Sequence, residues 1–98
     1  MIVVRDIFQI DPQQMKAAKE LAKEGRTLEK KLGYPASRIL TDLTGEYYTL
    51  VTESEFNTLG EFEAALRRVF TSKEWKKWYP RFRKLIRAGR REIFTVVE

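Results

Sequence analysis

Residues 1–10, MIVVRDIFQI, put apolar side chains on both faces of any strand they form, and no other feature constrains the fold as much. Side chains alternate across a strand, so Ile2, Val4, Phe8 and Ile10 point one way while Val3 and Ile7 point the other. A strand that is apolar on both faces has to be covered on both. A second segment makes the same demand. In residues 46–53 the run Tyr47-Tyr48-Thr49-Leu50-Val51-Thr52 is almost wholly aromatic or β-branched, the composition of a strand. A chain of 98 residues has room for one domain, 1–98, with one core.

The remaining segments supply the cover for one face only. Asp11-Pro12 opens a helix, with Asp11 able to accept from the first free amides and Pro12 suited to the first helical position. Met15, Ala18, Leu21, Ala22, Leu28 and Leu32 recur at helical spacing and form its apolar face. Gly25 weakens its middle by about 1 kcal/mol relative to Ala, and Gly33 with Pro35 supplies the stop. Two short strands follow, at about 37–43 and 46–53, joined by a tight turn at Thr44-Gly45. A second helical region begins at Thr58, whose T-x-x-E spacing to Glu61 fits a capping box. Phe62, Ala65, Leu66, Val69 and Phe70 form its buried stripe. Thr71 to Glu74 repeats the signal, so the helix breaks and restarts there. Trp75, Trp78, Tyr79, Phe82, Leu85 and Ile86 continue the apolar face, with Pro80 kinking the segment or marking its first turn. Ala88-Gly89 ends it, and residues 92–97 form a last strand.

The predicted order is therefore βαββαβ. Right-handed crossovers turn it into an α+β, ferredoxin-like fold: a four-stranded antiparallel sheet of order 4-1-3-2 with two helices on one face. The first and third strands, the two-sided ones, become central. One of their faces is left bare, and a second copy of the chain is the commonest way to cover it. A homodimer is the expected state.

Composition limits the chemistry. Without histidine or cysteine the chain can build no Ser-His-Asp triad, no zinc site from Cys or His, and no disulfide. No metal and no cofactor is assigned to it. A cysteine-free chain suits a reducing cytoplasm. No apolar run approaches the roughly 20 residues of a membrane span, and the start lacks the basic stretch of a secretory signal.

The run Tyr48-Thr49-Leu50-Val51-Thr52-Glu53-Ser54-Glu55-Phe56, the following helix with Phe62, the Trp75 to Trp78 segment and the closing Gly89-Arg90-Arg91-Glu92-Ile93-Phe94 resemble the dimeric α/β-barrel superfamily. Within it the chain is most similar to NIPSNAP-like and antibiotic-biosynthesis-monooxygenase-like domains. The resemblance covers nearly the whole chain and implies ferredoxin-like protomers whose sheets face each other. It includes cofactor-free monooxygenases, haem-degrading enzymes and many proteins of unknown role. The haem-degrading members use an axial histidine, which this chain lacks.

Candidate site residues follow from the same patterns. Trp75, Trp78 and Phe82 fall on one helical face, which either packs as core or walls a pocket between helices and sheet. Tyr47 and Tyr48 alternate, so one of them should face that space. Arg5 and Asp6 sit side by side in a central strand, aiming one charge at each face, where each needs a partner. Asn57 reads as a turn residue. Residues 67–91 carry eleven basic groups against Glu74 alone, a net of +10. Such a basic C-terminal helix suits an anionic partner such as nucleic acid, although a solvated face is the commoner outcome. The leading expectation is a barrel that binds a small apolar or aromatic molecule in the cavity between helices and sheet. The alternatives are a cofactor-independent monooxygenase and a binding protein for an anionic partner.

Overall fold

In a computed structural model describing all 98 residues, the first strand, β1 (Ile2–Ile10), lies in the middle of a four-stranded antiparallel sheet. The others are β2 (Arg38–Thr41), β3 (Thr49–Phe56) and β4 (Ile86–Thr95), in spatial order β2-β3-β1-β4, as predicted. Three helices cover one face: α1 (Met15–Lys31), α2 (Leu59–Phe70) and α3 (Lys73–Arg83). The predicted second helix is thus two. Thr58 caps α2, its hydroxyl accepting from the Glu61 amide at 3.2 Å. The restart is capped by Ser72, which accepts from the Trp75 amide at 3.1 Å, while the Thr71 hydroxyl turns back to donate to the Arg67 carbonyl. Pro80 lies well inside α3, so it does not mark a first turn. Asp11 caps a 3-10 turn, Pro12–Gln14, that leads into α1.

The register of β1 separates the two faces of the sheet. Val4 and Ile10 are buried beneath the helices, Ile2 and Phe8 pack against the same core, and Asp6 shares their face. Val3, Arg5, Ile7 and Gln9 point to the open side. The core lies between sheet and helices in two neighbouring groups. Val4, Tyr34, Phe56, Phe62, Ala65 and Val69 form the first; Ile10, Ala18, Ala22, Leu50, Trp78 and Phe82 form the second.

Two boundaries differ from the sequence reading, each because of a specific hydrogen bond. The strand expected at 46–53 runs from Thr49 to Phe56. Asp42 makes the difference: its carboxylate accepts from the Thr49 amide at 2.9 Å and its own amide donates to the Thr49 carbonyl. This closes a loop over residues 42–48 instead of a tight turn at Thr44-Gly45, and Tyr48 in that loop has a φ of 58°. The last strand begins at Ile86 instead of 92, because the Leu85 carbonyl accepts from the Asp11 amide at 2.9 Å and draws the chain onto the sheet edge. Ile86 and Gly89 are therefore strand residues, and Gly89 is not a helix stop. Gly89 sits opposite Phe8, whose ring would lie 3.1 Å from a β-carbon there. A further consequence concerns charge. The basic residues of 67–91 do not form one helical face but divide among α2, α3 and β4. Four of them are already engaged: Arg68 with the Leu32 and Gly33 carbonyls, Arg81 with Glu24, Arg90 with Glu92 and Arg91 with Asp6.

The open face is mixed. Val3, Val51, Leu40 and Phe94 provide apolar surface, with Leu40 and Phe94 well exposed, while Ile7 on the same side is buried. Between them Glu53 pairs with both Arg5 and Arg38, and the Arg5 guanidinium stacks 5.2 Å above the Phe94 ring. Both hydrogen bonds hold the Glu53 carboxyl below its usual range. No helix is long and apolar enough to cross a membrane.

Candidate functional site

A cavity of about 440 Å³ opens between the helices and the sheet. Its aromatic wall follows from the spacing of α3. Trp75, Trp78, Tyr79 and Phe82 recur every three or four residues and so share one face, which α3 turns toward α1 and the sheet. Trp78 stacks on Phe82 at 5.1 Å and lies 4.8 Å from Trp75, while Phe8 meets Phe82 edge-on at 5.3 Å. Trp78 is anchored: its indole Nε1 donates to the Leu21 carbonyl at 2.9 Å. Trp75 is only half-buried and stacks on Tyr79 at 5.6 Å. Phe70, expected in the core, is largely exposed and lines the cavity.

A polar group sits across from this wall. Asp6 comes from β1, Arg91 from β4 directly opposite, Glu29 from α1 and Tyr34 from the loop after it. Arg91 Nε donates to Asp6 Oδ1 at 2.7 Å, and its guanidinium also stacks 5.2 Å over the Phe62 ring. Burial, helped by the nearby Asp6 charge and opposed by Arg91, raises the Glu29 carboxyl to about 7. Burial likewise pushes the Tyr34 phenol above its ordinary value, with the Glu29 and Asp6 charges adding to the effect. At neutral pH the group thus presents a closed ion pair, a carboxyl near half-protonation and a neutral phenol. Such a set donates and accepts hydrogen bonds without presenting a large net charge. No group of three or more His, Cys, Asp or Glu side chains converges as a metal site would require.

Of the residues singled out from sequence, Asp6, Trp75, Trp78 and Phe82 come together at this cavity. Arg5 does not, because it points to the open face and pairs with Glu53. Neither Tyr47 nor Tyr48 faces the cavity. Both lie in the loop before β3, 80% and 43% exposed, with their rings against each other at 6.2 Å. Strand alternation does not apply to them because β3 begins at Thr49, after both. Glu29, Tyr34 and Arg91 were not anticipated. A signal for Glu29 was present: Ala18, Ala22, Gly25 and Glu29 fall on one helical stripe, so a carboxyl follows three small buried residues.

Comparison with known proteins agrees with this architecture. Two NIPSNAP proteins of known structure superpose closely. One, from Agrobacterium tumefaciens, has a TM-score of 0.92 at 16% identity over 99% of this chain and 93% of its own. The other, an uncharacterised NIPSNAP domain protein from Burkholderia xenovorans, has a TM-score of 0.87 at 13% identity, covering 99% and 95%. A structure described as an antibiotic biosynthesis monooxygenase matches over the full length of both chains with a TM-score of 0.77 at 17% identity. No curated protein matches the chain. The NIPSNAP family model matches residues 5–98, and the chain belongs to the NIPSNAP family.

Proposed function

We propose that this NIPSNAP chain binds a small planar, largely apolar molecule in the cavity between helices and sheet. One observation carries the reading: an aromatic wall faces a compact hydrogen-bonding group across about 440 Å³, within the size range of small-molecule sites. A neutral naphthalene carboxamide should quench tryptophan emission saturably. Trp75→Ala, which removes a half-buried wall residue, should weaken that binding by more than it lowers stability. Unsaturable quenching, or equal losses of binding and stability, would mark the cluster as core alone.

We further propose a homodimer formed through the open sheet face, and the cytoplasm as the compartment of this cysteine-free chain. The support for the dimer is apolar surface at Leu40 and Phe94 on a face that the helices leave bare. Light scattering at micromolar concentration should report about twice the 11.6 kDa chain mass. Phe94→Glu should bring it to the single-chain value with the circular dichroism spectrum retained. A wild-type monomer at that concentration would dispose of the dimer.

A second reading, cofactor-independent monooxygenation, has Glu29 in its favour, a cavity carboxyl whose value near 7 suits a general base. Here the substrate itself is the reductant: a phenol gives a proton to Glu29, its carbanion forms a C–O bond to dioxygen, and O–O cleavage with return of the proton releases water and leaves a quinone. Oxygen uptake with a bound phenol, without added metal or flavin and lost in Glu29→Gln, would support it. Binding without uptake would retire it for the compounds tried.

A further inference from the structure

The cavity is not electrically uniform, and its mouth differs from its floor. Beside the last turn of α3 and the start of β4, Arg83 and Arg87 line the opening. Neither forms a salt bridge within the chain, whereas Arg91, which also lines the cavity, is closed onto Asp6. Two uncompensated guanidinium groups therefore stand next to Phe82 and Ile86, at the end of the aromatic wall. Guanidinium is weakly hydrated and forks onto carboxylate, sulfonate or phosphate oxygens, so it holds anions beside apolar surface well.

Resting on the small-molecule reading above, we propose that the cavity takes an amphipathic organic anion. Its planar apolar body lies along Trp75, Trp78 and Phe82, and its anionic group is held at the mouth by Arg83 and Arg87. The floor then meets the neutral end of the ligand. Asp6 is already satisfied by Arg91, so a second anion at the floor would have no free cation to pair with. The arrangement fixes a direction of entry, apolar end first.

Matched probes test this. Tryptophan quenching by a naphthalene carboxylate and by its neutral carboxamide gives two affinities, and their ratio is the readout. The carboxylate should bind about tenfold more tightly at low ionic strength, as one good charge-assisted contact allows. The ratio should shrink as salt is raised from about 0.05 M to about 0.5 M, where screening becomes short-ranged. The double variant Arg83→Gln/Arg87→Gln should bring the ratio close to one, the loss falling mainly on the carboxylate. Lys73→Gln/Lys76→Gln removes the same charge from parts of α3 that do not line the cavity and should leave the ratio intact. Carboxamide binding without carboxylate preference overturns the proposal and leaves the small-molecule reading standing. An equal loss in the lysine variant assigns the preference to overall charge and also overturns it. No saturable binding of either probe brings down both readings.

Discussion

Gly25→Ala should destabilise the protein, although alanine is the better helix former. A β-carbon at residue 25 would lie 2.5 Å from Cζ2 of Trp78, with Cε2 at 2.9 Å and Cη2 at 3.0 Å. The indole cannot swing aside cheaply. It is buried, hydrogen-bonded to the Leu21 carbonyl and stacked on Phe82. Overpacking of this kind costs about 1–3 kcal/mol, and the improved helix propensity returns at most about 1 kcal/mol. Removing the partner reverses the sign. Trp78→Ala alone should cost about 3–5 kcal/mol, but in that background Gly25→Ala should stabilise by up to about 1 kcal/mol, since only the helix term is left. Urea unfolding of the four proteins at one fixed concentration measures the cycle. Gly25→Ala stabilising in both backgrounds would show that Trp78 does not need the space.

That pair also shows what a sequence can and cannot disclose. The order of elements and the sheet topology follow from strand composition, capping residues and crossover handedness, all local or nearly local properties. The helical spacing of Trp75, Trp78 and Phe82 was enough to place them on one wall. Gly25, read alone, is only a weak point in a helix; its purpose appears once α3 lies across α1. Arg91 is equally silent until the β1–β4 register sets it opposite Asp6. Both shifted boundaries are set by single hydrogen-bonded contacts, Asp11 with Leu85 across the fold and Asp42 with Thr49 within one loop, which leave no periodic trace. Tyr47 and Tyr48 were misplaced for that reason. The two-sided character of β3 weakens with them, because its open face as formed carries Thr49, Val51, Glu53 and Glu55.

The buried carboxyl at the cavity floor should make stability fall as pH rises through the weakly acidic range. Glu29 would ionise near 4.5 in an unfolded chain and near 7 in the folded one. Between those values the folded state keeps a proton that the unfolded state has released. The stabilisation is therefore complete below about 4.5 and is lost as pH rises through about 7. The groups facing Glu29 act in opposite directions: burial and the Asp6 charge oppose its ionisation, and Arg91 favours it. The interval corresponds to at most about 3 kcal/mol, less whatever solvent entering the open cavity restores. Glu53 does not obscure the effect. Its carboxyl is held low by Arg38 and Arg5, so its contribution is present above the ordinary carboxylate range and fades only as pH falls below it. Tyr34 ionises on the alkaline side, outside the window. Glu29→Gln, which keeps the shape and removes the proton, should flatten the stability profile between about pH 5 and 7 and leave the variant more stable than wild type above it. Asp6→Asn removes a charge that opposes Glu29 ionisation and leaves Arg91 unpaired, so the loss should start at the same pH, be complete at lower pH and be smaller. A profile unchanged by Glu29→Gln would show that the carboxyl is not the titrating group.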